Sequence, residues 1–368
     1  MIIMAIDHVV YFVGRFHPAE YWNTAPPVFP NGAFEALRFL THVCAPGFVL
    51  FAGMGLSLSY AKSLGQGTAA VELRRRTLIR AALLFFFVQL LLENFAWGFG
   101  DFGGLGVPLN DVVIPGAPTM GPFVYFGVIY AIAASLAVCA LFLSASDRLV
   151  GTAAFLAVVA SPLALLFGPE AAEPINPILG ILVYPGRTFI FTAYPLFPWV
   201  GVMLIGMLLG RRLSRGASAG GFWIYGVAAF VFGAAVRFLV PFGESTPMSD
   251  SGSFFDLSKY PPSLAYLGMT LGLNLMAVSF FDAVFRASGE TRGRRGIRPL
   301  REFGREPLVF YVGHLYFYAI LCWVIVFPGR AGPLLAVWAV SLIPLYLLVR
   351  WYRRVRIAGR LPGLLKRL

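Results

Sequence analysis

Runs of about 20 mostly apolar residues, the length a helix needs to cross a hydrocarbon core, recur from one end of this chain to the other with short polar breaks. Of 368 residues, 58% are hydrophobic and 12% charged, more apolar surface than a water-surrounded core could enclose, so lipid must be the solvent. Backbone polar groups in lipid must be paired within their own segment, which makes these runs helices. The expected fold class is therefore all-α, a polytopic transmembrane bundle of about ten helices. The expected spans are residues 1 to 14, 36 to 61, 78 to 98, 122 to 144, 149 to 168, 194 to 210, 221 to 240, 263 to 285, 306 to 327 and 332 to 350. No stretch has the composition of a separate soluble domain, so residues 1–368 are expected to form a single transmembrane domain. The first run opens on apolar sequence without a cap or charged flank, and its helix is expected to begin upstream of Met1. It has no basic n-region and no small-residue cleavage site, so it does not read as a signal peptide.

The basic residues set an orientation. With ten spans and both termini cytoplasmic, the cytoplasmic segments carry 5, 1, 3, 7 and 7 Lys and Arg residues, 23 of the 29, as the positive-inside rule requires. Acidic residues divide the other way, 11 external and 6 internal. The net charge of +12 is then a topology signal with attraction to anionic lipid as a by-product, and it does not point to nucleic acid.

Cytoplasmic connections are short and basic. The external connections 15 to 35, 99 to 121, 169 to 193 and 241 to 262 are long and rich in Pro, Gly and aromatic residues, a composition suited to loops that fold over a site. The external face is the expected working face. Cys44, Cys139 and Cys322 all fall within spans and share no metal-ligand spacing, so they read as small packing residues, with no disulfide and no metal expected. Gly206 and Gly210 form a small-xxx-small face that permits close helix contact within one chain or in a homo-oligomer.

All four histidines, His8, His17, His42 and His314, fall in the outer half or at the midplane of the expected bundle, and ionisable groups at that depth usually face a polar cavity. Asp7 and His8 are the sharpest pair: a carboxylate beside an imidazole can hold a tautomer for base work, although sequence neighbours on a helix point about 100° apart. Polar groups that lock helix packing would look the same in sequence. His17 beside Pro18 can be a base or a solvated loop residue. Arg38 and His42 stand four apart on one helical face and suit an anionic or carbonyl-bearing ligand, while Arg38 can also snorkel to headgroups. His314, between Tyr311 and Tyr318, can be a ligand or a packed histidine. Arg237, near the outer end of its helix, is expected to snorkel. Lys259 and Tyr260 precede Pro261 and Pro262, either as a stiff helix start or as a cation and a phenol brought to the membrane surface. No Walker loop, dinucleotide turn, nucleophile elbow or zinc spacing is present, so the residues alone leave transport and transfer chemistry open.

Five blocks in order carry a resemblance: Met4-Ala-Ile-Asp-His8; Arg38-Phe-Leu-Thr-His-Val-Cys-Ala-Pro46 running on to Phe51-Ala-Gly53; Tyr194-Pro-Leu-Phe-Pro-Trp-Val-Gly201; Lys259-Tyr-Pro-Pro-Ser263 with Met269-Thr-Leu-Gly272; and Phe303-Gly-Arg-Glu-Pro-Leu308 with Tyr311 and His314. Together they resemble the bacterial proteins similar to heparan-alpha-glucosaminide N-acetyltransferase, within a broader group of transmembrane acyltransferases. That resemblance implies a protein of the bacterial cytoplasmic membrane that takes an acetyl or other acyl group from acyl-CoA and passes it to an amine or hydroxyl of a sugar-like acceptor across the membrane. It also implies a catalytic histidine just after the first helix, where this chain has His17. The lysosomal member has an asparagine late in the same helix, whereas this chain reads Asp7-His8, which raises the standing of His8. His17 or His8 would then be the base with Asp7 orienting it, and Arg38, His42, Lys259, Tyr260 and His314 would line the substrate site. The coenzyme's phosphates would meet the cytoplasmic arginines or this same positive field.

The alternative from the residues is a transporter of a small polar solute that uses intramembrane Asp and His, with Pro195 and Pro198 marking a broken helix at the site. A scaffold without chemistry is disfavoured by the number of ionisable groups within the spans.

Overall fold

A computed structural model of the chain describes residues 1–16, 20, 28–102, 124–165, 176–184, 186–187, 190–239, 254–287 and 298–363. In chain order its helices are α1 (Met4–Phe12), α2 (Gly32–His42), α3 (Cys44–Gly65), α4 (Ala70–Leu83), a π-helical stretch Leu84–Glu93, α5 (Asn94–Phe102), α6 (Val128–Leu141), α7 (Asp147–Leu165), α8 (Pro177–Leu182), α9 (Leu196–Ser214), α10 (Phe222–Leu239), α11 (Leu264–Ala287), α12 (Arg298–Arg305), α13 (Pro307–Leu321) and α14 (Ala331–Ile357). Each of the ten expected spans has a helix in its place. Among the described residues, seven helical stretches have the length and hydropathy to cross a bilayer, while Val128–Leu141 and Pro307–Leu321 are apolar but shorter. The chain is an all-α polytopic membrane protein.

Its surface has the polarity of a lipid-solvated fold. Phe86, Trp223, Phe232 and Trp351 are all more than half exposed, while Arg38, Gln89, Glu93 and His314 are buried. Apolar side chains outside and ionisable ones inside invert the arrangement that water would impose.

Two helix pairs form the frame. α3 and α9 cross so closely that a Cβ on Gly53 would lie 2.1 Å from the Met203 carbonyl oxygen, and one on Gly206 would lie 2.1 Å from that of Leu50. Backbone contact of this kind replaces the hydrophobic drive that lipid cannot supply. α10 and α11 touch in the same way, with a Cβ on Gly268 falling 2.7 Å from the Gly233 Cα. The Gly206 and Gly210 face is thus occupied within this chain, by Leu50 and Met54.

In two places the helices depart from the expected spans, and in a third a break falls where the prolines mark one. The second span is two helices that meet at Val43, where Tyr266 donates to the His42 carbonyl at 2.9 Å and Asn274 donates to that of Val43 at 2.9 Å. Those two α11 side chains satisfy the carbonyls that a helix end releases. The expected span 122 to 144 begins as a strand, β1 (Val124–Phe126), before α6. It joins β2 (Gly186–Arg187) and β3 (Ile190–Thr192) in a small sheet of order β1-β3-β2, with β1 parallel and β2 antiparallel to β3. At the head of α9, Phe197 has φ −90° and ψ 135°, which breaks the helix between Pro195 and Pro198 as expected.

Arg237 does not snorkel. It is 1% exposed, at an end of α10 where Phe254, ahead of α11, stacks on the neighbouring Phe238.

Candidate functional site

α1 is buried on several sides, so its two polar residues must find partners within the protein. The 100° between them sends them in different directions. Asp7 turns to α2: its Oδ1 accepts from Arg38 Nη1 at 2.5 Å and from Thr41 at 3.3 Å, and Lys259 Nζ lies 3.9 Å from its Oδ2. His8 turns to α13, where its Nδ1 is 2.5 Å from Nε2 of His314. The two rings stack at 4.7 Å. Among the described residues the hydrogen-bond partner of the His8 ring is therefore His314 and not Asp7.

α2 is started by Asn31, whose side chain accepts from the Ala33 and Phe34 amides, and its spacing places Arg38 and His42 on one face. Both face Glu20, which is 3% exposed. Arg38 donates from Nε to Glu20 Oε1 at 2.7 Å and from Nη2 to Oε2, while His42 Nε2 lies 2.9 Å from Oε1. The Glu20 backbone carbonyl accepts from the amides of Lys259 and Tyr260, each at 3.1 Å. Burial pushes the Glu20 carboxyl up, but Arg38 and then His42 more than reverse this and hold it well below the usual carboxylate range. Two carboxylates and two cations, Asp7, Glu20, Arg38 and Lys259, thus balance within the protein, as buried charge requires.

Asp7 and Lys259 of this group border a cavity of about 60 Å³, room for a few water molecules or the reacting end of a larger molecule. Asp7, His8, Lys259, Tyr260 and Tyr311 line it, together with Thr41, Cys44, Trp97, Tyr125 and Tyr194. Among the expected site residues, Asp7, His8, Lys259 and Tyr260 therefore meet at one wall, with His314 directly behind His8. Arg38 and His42 do not line this cavity, since their donors go to Asp7 and Glu20, and they hold the site without facing its interior. Lys259, which packs against the rings of Tyr260 and Tyr194 at 5.2 and 6.0 Å, is the expected cation that does reach it. His17 lies outside the described residues.

The histidine pair has a defined proton order. His314 Nδ1 lies 2.9 Å from the Phe310 carbonyl oxygen, which can only accept, so Nδ1 carries the proton. In the neutral ring Nε2 then accepts, and the proton it receives must come from His8 Nδ1. His8 Nε2 is left with a lone pair and no hydrogen-bond partner among the described residues, on a ring in the cavity wall. Such a nitrogen can take a proton from a bound amine or hydroxyl.

Sequence reasoning passed over Glu20, Glu93, Trp97 and Tyr125, and named Tyr311 only as a neighbour of His314 and as part of the resemblance. Glu93 ends the π-helical stretch and is 2% exposed; its Oε1 accepts from the Tyr311 hydroxyl at 2.7 Å. Gln89, one step earlier on the same ladder, donates to the Tyr125 carbonyl and accepts from the Tyr130 amide, each at 2.8 Å. Asn94 pairs with the Tyr125 backbone in both directions, so this stretch docks β1 and Tyr125 against the cavity. One signal was present. Gln89, Glu93 and Trp97 stand four apart in an otherwise apolar run, a polar stripe that lipid would not tolerate facing outward.

Compared with known proteins, residues 1–239 match the family model described as "Heparan-alpha-glucosaminide N-acetyltransferase, catalytic", and the matched part contains α1, α2 and the Glu93 ladder. No curated protein and no solved structure matches the chain.

Proposed function

The chain belongs to the heparan-alpha-glucosaminide N-acetyltransferase catalytic family, a membrane acetyltransferase-like assignment, and from that premise we propose that it moves an acyl group from acyl-CoA to an amine or hydroxyl of a sugar-like acceptor at the cavity beside His8. The single observation that carries this reading is the ordered chain from the Phe310 carbonyl through His314 to His8, which leaves an unprotonated Nε2 at a cavity that also holds a lysine.

In the proposed reaction His8 Nε2 removes the proton from the acceptor as its nitrogen or oxygen attacks the thioester carbonyl carbon. The carbonyl oxygen gains negative charge beside Lys259 Nζ, and Asp7 and the Tyr260 ring keep that ammonium in place. The carbonyl then re-forms, the C–S bond breaks with its electron pair on sulfur, and the thiolate takes the proton from His8. Atoms and charge balance over these steps. His17, which the family resemblance favours as the base, is the second candidate for the same role. The acceptor approaches from the extracytoplasmic side in this scheme, and the bacterial cytoplasmic membrane is the proposed location.

The test is purified protein in lipid nanodiscs with acetyl-CoA and amino sugars, scored by free thiol released and by the mass of the product. His8→Ala is expected to lower turnover by about 10² to 10⁴-fold, the usual worth of a general base. Full activity in His8→Ala with loss in His17→Ala would move the base to His17. Solute uptake by liposomes without thiol release in any acyl-CoA would favour the transporter reading, which the break at Phe197 accommodates.

A further inference from the structure

Glu93, a buried acid behind the cavity-lining Tyr311, has no part in the proposed chemistry. Glu93 Oε1 accepts from the Tyr311 hydroxyl at 2.7 Å and from Trp97 Nε1 at 3.4 Å, while its Oε2 is buried without a partner among the described residues. No Lys, Arg or His among the described residues forms an ion pair with it. A buried carboxylate here would have no countercharge, whereas a carboxylic acid has no charge to satisfy. The fold makes room for the group at Gly127, where a Cβ would lie 2.5 Å from Glu93 Oε1 and 2.6 Å from Tyr125 Cε1.

An acid in this position has a proton to donate. Directed at the Tyr311 oxygen, it reverses the 2.7 Å hydrogen bond and frees the phenolic proton to turn elsewhere. Tyr311 lines the cavity and its ring meets that of His8 edge-on at 6.4 Å, so a molecule held by His8 is within its surroundings. We infer that Tyr311 donates a hydrogen bond to the acyl carbonyl oxygen as that oxygen becomes negative, and that Glu93, as a carboxylic acid, is the positioning residue that turns the Tyr311 proton toward the cavity. This role rests on the acyltransferase reading. No proton changes owner within the pair: Glu93 and Tyr311 each keep their own, the carbonyl electron pair moves onto oxygen under the Tyr311 O–H, and it returns when the C–S bond breaks.

The experiment uses full-length protein in nanodiscs with acetyl-CoA, and two readouts. A glutamine at position 93 keeps an N–H to donate to Tyr311 and has no charge, so Glu93→Gln is expected to hold kcat within about threefold of the parent. Glu93→Ala and Tyr311→Phe should each lower kcat by about 10² to 10³-fold with KM unchanged, the pattern of a bond made only in the transition state. A Glu93→Gln variant as slow as Glu93→Ala would overturn the positioning role, and normal kcat in Tyr311→Phe would overturn the donor. Infrared difference spectra supply the second readout, which needs no turnover and no alanine variant. At neutral pH the parent should show a protonated-carboxyl stretch that vanishes in Glu93→Gln and shifts in Tyr311→Phe, and its absence would overturn the acid form. Lack of turnover in the parent with every acyl-CoA would sink the acyltransferase reading, and the Tyr311 role with it, while the infrared band would still decide the state of Glu93.

Discussion

Removing Glu20 should damage this protein more than removing any single lipid-facing residue. Its carboxylate receives two donors from Arg38 and faces a third nitrogen on His42, and Glu20 and Arg38 are 3% and 5% exposed. Hydrogen bonds to charged groups are each worth about 1.5–3 kcal/mol. Arg38 would keep Asp7, so the three losses do not simply add, and the expected cost of Glu20→Ala is about 3–5 kcal/mol, the usual penalty for orphaning a buried ionic partner. Glu20→Gln keeps the volume and one acceptor, and should lose about half as much. Unfolding in detergent can be followed with a thiol-reactive dye, because Cys139 and Cys322 are 0% and 2% exposed and react only when the bundle opens. The pH dependence has a definite sign. The folded carboxyl is held below its ordinary value of about 4.3, so its stabilising effect is complete above that value and is lost as pH falls toward the folded one. The stability difference between the parent and Glu20→Gln should accordingly be flat from pH 7 to about pH 5 and shrink below roughly pH 4. A cost under about 1 kcal/mol for Glu20→Ala, the value of a solvent-exposed pair, would refute the reasoning.

Two further outcomes are expected. Gly206→Ala would drive a methyl to 2.1 Å from the Leu50 carbonyl and should cost about 1–3 kcal/mol by prising α3 from α9, while Gly55→Ala, with nothing within 4 Å, should stabilise α3 by up to about 1 kcal/mol; the same dye assay compares them, and equal effects would contradict the close crossing. In a cysteine-free background in bacterial cells, a membrane-impermeant maleimide should label Val28→Cys from outside and should label Gln66→Cys only after the membrane is permeabilised; the reverse pattern would invert the orientation drawn from the arginines.

Long-range order in this fold was largely legible as hydropathy. The spans and their sequence along the chain follow from segment length and from the need to pair backbone groups in lipid, which are local properties. The breaks within them are not local. Two helices meet at Val43 because Tyr266 and Asn274, more than 200 positions away, supply partners for the carbonyls there. Residues 124–126 form a strand because β3 lies alongside, and nothing in Val124-Tyr-Phe126 distinguishes it from the start of an apolar helix. The site divides in the same way. Asp7, His8 and His314 could be singled out because ionisable groups in apolar runs are rare, and Glu93 could have been on the same ground. Glu20 could not, since an acid in a polar connection is ordinary until Arg38, His42 and the Lys259 amide are seen to converge on it. Arg38 and His42 show the converse: spacing put them on one face correctly, but only the position of Glu20 decides that the face looks toward an internal counterion.

The two amides that close on the Glu20 carbonyl belong to Lys259 and Tyr260, and both of those side chains form part of the chamber wall. The connection after the first helix and the connection before α11 are therefore fastened at one point. Any strain applied to one of these connections is therefore felt at the other, and through Lys259 at the carboxylate of Asp7 3.9 Å away.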